Sequence, residues 1–208
     1  SSYPSTSTRC PDMLKIKPVP LPKKKPVVEK KGNSNNLQLR QEFLAAIRKY
    51  QTAMGAGRFY RKRLIYSRPW FLVCGHPGSG KTTLLNKTGL SWTAVYPDES
   101  EEQLQWRFSS EAVWIDIPGS LLEDSVSEEF KVFIETLAWI RGRRPLDGIC
   151  IVTDCGEMLD AELVTIKYQG ESLRKRIDQI TKLWGIELPV YHIFSQADKI
   201  TGFNTVFS

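Results

Sequence analysis

Apolar positions along the chain follow two different periods, and their alternation predicts the fold. Leu37, Leu39, Phe43, Leu44, Ile47 and Tyr50 recur at helical spacing. They predict a helix from a cap near Asn36 to about Met54, ended by Gly55 and Gly57. Trp70 to Cys74 is a short unbroken apolar run and reads as a buried strand, with a helix through Thr83, Leu84 and Leu85 soon after it. Ala112 to Ile115 is a second such run and ends in Asp116. Phe130, Phe133, Ile134, Leu137 and Ile140 mark one side of a helix over 127–141, with Ser127 as a candidate cap. A strand over 148–153, a largely helical stretch from Leu159 to Trp184 closed by Gly185, and a strand over 189–194 complete the series. Residues 91–110 carry few signals. Asp98, Glu99, Glu101 and Glu102 read there as an exposed acidic loop.

Strands alternating with helices predict an α/β fold with a mostly parallel, doubly wound sheet and right-handed crossovers. Ligands in such sheets bind at the C-terminal ends of the strands. The stretch after Trp70–Cys74 lies at one of those ends and carries chemistry. Gly75-His76-Pro77-Gly78-Ser79-Gly80-Lys81-Thr82 is Gly, four residues, then Gly-Lys-Thr, between a predicted strand and a predicted helix. That is the phosphate-loop pattern in the context it requires. Gly75, Gly78 and Gly80 let the backbone wrap closely around an anion, with the N–H groups of the loop, Ser79 among them, turned inward. The helix start at Thr82 and Thr83 adds its positive dipole end. Lys81 is placed to reach the β- and γ-phosphates, and the Thr82 hydroxyl to ligate Mg²⁺.

Two further motifs belong at neighbouring strand ends. Asp116, 35 residues after Lys81, closes an apolar strand and is followed by Gly119. An acid at that place holds Mg²⁺, and the glycine N–H contacts a γ-phosphate. Ser195-Gln196-Ala197-Asp198 stands where a GTP-binding protein reads its base. Asp198 is in place to accept from guanine, while Gln196 replaces the usual lysine. A helix cap before Ile200 is the competing role for Asp198. Between the motifs, Thr93 and Ser100 are candidates for sensing a γ-phosphate. His192 lies within a strand and reads as a partly buried structural histidine.

Charge is unevenly spread. Of a formal net +6, residues 15–31 hold seven lysines against the single acid Glu29. Together with the Ser, Pro and Asn of residues 1–36, this predicts an extended linker that is solvated or lies against anionic lipid headgroups. It has no interleaved aromatics to stack bases, which weighs against nucleic acid. The chain then divides into a linker (1–36), a helical extension (37–57) and a phosphate-loop nucleotide-binding domain (58–208). Arg141, Arg143 and Arg144 before Pro145 read as a solvated helix end, with partner docking as the alternative. Cys10, Cys74, Cys150 and Cys155 show no paired spacing, and Cys74 and Cys150 read as small core residues. No apolar run approaches the roughly 18 residues of a membrane span, and the absence of an initiator Met reads as an excised piece of a longer protein.

The motifs together resemble a known family. RPWFLVCGHPGSGKTTLLNKTGL, WRFSSEAVWIDIPGS, RRPLDGICIVTD and LPVYHIFSQADKITGF follow one another as their counterparts do in the TssM/IcmF family of type VI secretion inner-membrane proteins. The resemblance implies a small-GTPase-like P-loop NTPase domain on the cytoplasmic side of the bacterial inner membrane. It implies ATP or GTP and Mg²⁺ as ligands, and TssL, TssJ and baseplate components as partners. The family's Asp-Thr-Ala-Gly-Arg-Tyr is here Asp116-Ile117-Pro118-Gly119-Ser120-Leu121. No Gln or polar aromatic follows Gly119 to orient water, and the sequence identifies no arginine finger. The expectation is therefore a domain that holds nucleotide well and hydrolyses it slowly. The alternative is a nucleotide-independent docking scaffold.

Overall fold

A computed structural model describes residues 34–55, 65–97, 104–123, 127–142 and 144–207. Residues 1–33 of the expected linker, the acidic loop, Ser100, Gly57 and Arg143 lie outside them. A helix α1 (Ser34–Ala53) comes first, so Asn36 lies within the helix. Strand β1 (Trp70–Cys74) leads to α2 (Lys81–Lys87). Then come β2 (Trp92–Tyr96), β3 (Gln105–Ser109) and β4 (Val113–Asp116). After α3 (Ser127–Ile140) the chain forms β5 (Gly148–Asp154), α4 (Cys155–Asp160) and α5 (Leu163–Trp184). It closes with β6 (Val190–Ser195) and α6 (Phe203–Phe207).

The six strands form one sheet in the order β2-β3-β4-β1-β5-β6. β4, β1, β5 and β6 run parallel, which makes three of the five pairings parallel, as the alternation predicts. β2 and β3 add an antiparallel arm. This arm is absent from the sequence reading. In β3 the apolar Trp106 and Phe108 alternate with Gln105, Arg107 and Ser109, a period-two signal only five residues long. The single helix predicted over 159–184 is two, α4 and α5, with non-helical Ala161 and Glu162 between them.

The larger core lies on one face of the sheet. Trp70, Leu72, Trp106, Ile115 and Ile149 pack there against Phe43 and Tyr50 of α1, Phe130 and Phe133 of α3, and Ile180 of α5. The Phe43 ring meets Trp106 edge-on at 4.7 Å, and Tyr50 stacks on Phe108 at 4.6 Å. Each such buried ring contributes about 1.5–3 kcal/mol, which explains why the helix ahead of β1 is built into this core. On the opposite face Val73, Cys150 and Val152 pack against Leu85 of α2. Cys74 and Cys150 are buried free thiols, as expected, and burial pushes both above the ordinary range, Cys150 to about 11.

At the N-terminal end of β1 a buried ion pair closes the sheet. Arg141 donates to Asp147 Oδ2 at 2.8 Å, to Ile65 O and to Arg68 O. The same Asp147 oxygen accepts the Trp70 N–H, and Arg144 lies 2.6 Å from the other. Arg141 is 2% exposed. It is neither a solvated helix end nor a docking residue, because its guanidinium is buried and spent on Asp147 and two backbone carbonyls.

Candidate phosphate-binding site

β1 is central and carries no charge, so its neighbours set the geometry at its end. Register pairs Val73 with Asp116 and Cys74 with Ile151. On the far side of β5, Asp154 pairs with Ser195. The phosphate loop, the Asp116–Gly119 segment and the Ser195–Asp198 segment thus leave the same edge of the sheet, from β1, its neighbour β4, and β6 one strand beyond β5. Thr93 does not join them. Its neighbour Trp92 pairs with Ser109, at the far end of β4, so Thr93 lies away from the loop.

The loop turns into α2 through Gly80, whose φ of 79° is left-handed, and Gly78 shares that conformation. Two glycines are required by close approach. A Cβ at Gly119 would lie 2.4 Å from Pro77 N and 2.8 Å from His76 C, so the Asp116–Gly119 segment rests directly on the phosphate-loop backbone. A Cβ at Gly75 would lie 2.4 Å from Val152 O. Ser79 is buried, and its hydroxyl finds no hydrogen-bond partner.

Charge is concentrated under the loop. Lys81 is buried, and its ammonium donates to Gly75 O at 2.7 Å and His76 O at 3.2 Å. Burial lowers its pKa, against the opposing pull of Asp116. Asp116 is also buried, and burial pushes its carboxyl above the usual range, opposed by Lys81, Thr82 and Arg107. The Thr82 hydroxyl donates to Asp116 Oδ2 at 3.1 Å. One hydroxyl and one carboxylate, adjacent and both hard oxygen donors, fit Mg²⁺, which needs few protein ligands when phosphates supply others. Among the described residues no cluster of three or more His, Cys, Asp or Glu could hold a metal alone. Thr83 is exposed on α2.

The third motif is joined to the loop by a residue that its pattern did not single out. Ser195 Oγ donates to Ser79 O at 2.8 Å. Gln196 sits at a φ of 53°, and its amide donates to Asp154 Oδ2. Asp154 Oδ1 in turn accepts the N–H groups of Gly156 and Glu157 and so caps α4. Asp198 lies within a one-turn 3-10 segment, Ala197–Lys199, and its carboxylate is exposed. It is inside that turn, so the cap role does not apply. His192 is exposed on β6, bonded to Thr153 Oγ1 at 2.8 Å and stacked on Phe194, not partly buried. An edge strand leaves both its faces open.

A polar strap beneath the site was also missed. Gln105 faces Asp116 across the β3–β4 ladder. Arg107, buried, donates to Gln105 Oε1 at 2.9 Å and to Asn86 Oδ1 of α2 at 2.6 Å. The strap ties the antiparallel arm to the helix that carries Lys81 and Thr82. Its only sequence signal is the alternation within β3.

The chain is similar to several known proteins. The IcmF-related N-terminal domain model matches residues 123–208. The type VI secretion system component TssM1 of Pseudomonas aeruginosa is 30% identical over 162 residues, 70% of this chain. The match spans 14% of that relative's length. Among solved structures, the G domain of the T. maritima FeoB iron transporter aligns with 19% identity and a TM-score of 0.36, covering 65% of this chain and 76% of that one. A GTP-binding protein from Sulfolobus solfataricus, in complex with GDP, aligns with 17% identity and a TM-score of 0.30, covering 85% and 68%. The sheet order and the phosphate loop themselves make the fold an α/β, P-loop NTPase-like one. The family model and the secretion relative agree with the motif series: this chain belongs to the IcmF-related, TssM family of type VI secretion components.

Proposed function

We propose that the domain binds a nucleoside triphosphate with Mg²⁺ at these strand ends and hydrolyses it slowly, in support of assembling or running a type VI secretion complex. The observation that carries this reading is the Thr82–Asp116 contact of 3.1 Å, set beside the Lys81 ammonium and under the Gly75–Gly80 loop. In this role Lys81 neutralises the β- and γ-phosphates, Thr82 and Asp116 hold Mg²⁺, and the Gly119 amide meets the γ-phosphate end. Gly75, Gly78, Ser79, Gly80 and Thr83 contribute the surrounding backbone. Asp198 and Gln196 flank the base, ATP or GTP. The bound Mg-nucleotide supplies the reactive phosphoryl group.

Slow turnover follows from what surrounds Gly119. The 3-10 segment Gly119–Leu122 buries Leu122 in the main core and offers only the Ser120 hydroxyl near a site for attacking water. Orienting that water and neutralising transition-state charge are worth orders of magnitude in rate. In the assembled secretion apparatus the domain would face the cytoplasm at the inner membrane and work with TssL, TssJ and baseplate components. Among the described residues no helix is long and apolar enough to cross a membrane.

Calorimetric titration with ATP, ADP, GTP and GDP, with and without Mg²⁺, tests the reading. At least one Mg-nucleotide should bind, and binding of none overturns it. A second reading, a docking scaffold that needs no nucleotide, draws support from the exposed Val190, Tyr191 and Phe194 of the edge strand β6. It predicts secretion unaffected by Lys81→Ala.

A further inference from the structure

A cleft of about 130 Å³ opens on the α5 side of the phosphate loop. His76 and Ser79 form its loop wall, and Asp154 and Glu157 line it from the β5–α4 junction. It shares Ser79 with the proposed phosphate site, but none of Gly75, Gly78, Gly80, Lys81, Thr82 or Asp116 lines it. It has room for a side-chain head group and not only a water.

Three observations make it a built site. The first is Ser79, 2% exposed, with a hydroxyl that finds no partner in the fold. A buried, unbonded hydroxyl is costly and marks a place where something else completes it. The second is Gly170, in the middle of α5. A glycine there costs about 1 kcal/mol relative to alanine. Yet a Cβ at Gly170 would meet nothing within 4 Å, and its φ is not left-handed. Nothing inside the molecule asks for glycine at this position, which lines the cleft, so the absence of a side chain leaves the mouth open. The third is charge. Asp154 and Glu157 are the charged residues of the lining, and neither forms an ion pair with a described residue. Lys199 packs against Gly156 and is not part of the lining.

The rim extends the surface. Leu163 continues the helical stripe of Ile166, Gly170 and Leu173 by one turn and is 84% exposed. Leu159 at the end of α4 is 62% exposed. The loop wall is mechanically joined to this rim. His76 Nε2 donates to Gln169 O on α5, and the Gln169 amide donates to Glu157 on α4.

We propose that this cleft is a docking site for an arginine side chain of a partner protein, whose neighbouring apolar residues cover Leu159 and Leu163. The guanidinium enters over Gly170, pairs with the Glu157 carboxylate and donates to Ser79 Oγ. The planar fork of arginine suits several acceptors at once, and its weak hydration favours entry into a half-buried cleft. Because Ser79 and His76 belong to the phosphate loop, such a partner contacts the same loop that the proposed nucleotide site uses.

The test uses the 208-residue chain without nucleotide, so its failure leaves the nucleotide reading standing. N-acetyl-arginine amide is titrated in, and amide NMR shifts are followed at His76, Ser79 and Gly170. Saturable shifts at all three are expected, with N-acetyl-glutamate amide producing none. Glu157→Gln should weaken the arginine probe about tenfold, the loss of one charge-assisted hydrogen bond. Gly170→Phe should abolish binding by filling the mouth. Gly170→Ala serves as the folding control. Shifts that do not saturate, equal binding of the glutamate probe, or binding indifferent to Glu157→Gln each overturn the proposal.

Discussion

Buried charge collects at both ends of the parallel strands, and the two collections differ in how completely they are satisfied. At the N-terminal end, Arg141 spends its donors on Asp147, Ile65 O and Arg68 O, and its guanidinium also lies 4.8 Å from the Trp70 ring centroid. Asp147 answers with bonds to Arg141, Arg144 and the Trp70 N–H. At the C-terminal end, among the described residues, the Lys81 ammonium donates to two backbone carbonyls and Asp116 accepts a hydrogen bond from the Thr82 hydroxyl, with no direct ion pair between them. Burial opposes the charged form at both ends: it lowers the pKa values of Arg141 and Lys81 and raises that of Asp116. Only the first end offsets that cost internally. A saturated buried pair holds the fold, whereas an unsaturated one keeps capacity for a ligand.

Breaking each end should therefore give opposite phenotypes. Lys81→Ala should leave the urea-unfolding midpoint nearly unchanged while weakening Mg-nucleotide binding by about 100-fold or more, roughly 3 kcal/mol. Calorimetry and circular dichroism on one preparation would separate the two effects. Arg141→Met should do the reverse. It strands Asp147 and two carbonyls, so unfolding free energy should drop by about 3–5 kcal/mol, while the protein that remains folded binds nucleotide as wild type does. Equal stability losses from the two variants would erase the distinction.

Smaller changes sharpen it. Gly119→Ala drives a Cβ to within 2.4 Å of Pro77 N, and the overlap should cost about 1–3 kcal/mol. Thermal melts with and without nucleotide would show it, and an unaltered melt would mean that the segment does not rest on the loop. The pH dependence at Asp116 has a definite sign. Its native pKa lies above the ordinary 3.8, so the folded protein binds this proton more tightly than the unfolded chain. The penalty is full above the native pKa and is relieved as pH falls through it. Asp116→Asn should accordingly be more stable than wild type at neutral pH in nucleotide-free protein, and that advantage should shrink on acidification. Smallest of all, Gly170→Ala should add about 0.5–1 kcal/mol of stability.

Local sequence chemistry made much of the site legible. The phosphate-loop pattern is a local spacing of glycines before Lys-Thr, so Gly75 to Thr82 identify themselves as the candidate loop. Asp116 and Gly119 stand out because an acid at the end of an apolar run is unusual in a core strand. Other parts were hidden because they depend on partners distant in sequence. Ser195 is unremarkable until its hydroxyl meets Ser79 O, 116 positions away. Arg141 resembles a solvated helix end until Ile65, Arg68 and Asp147 surround it. Arg107 sits on a five-residue strand, too short for its alternation to stand out.

The sequence by itself determined the parallel strands and the main helices around them, the phosphate loop and the order of the motifs, because periodicity and glycine spacing are local properties of a chain. Only the tertiary structure decided which charges are closed and which are open. It also decided that α1 belongs to the main core and that β2 and β3 form an antiparallel arm tied to α2. The cleft beside His76 is likewise a property of the fold, since β5, α4, α5 and the loop meet there across more than 90 residues. Register and packing set all of these, and they depend on which surfaces bury one another.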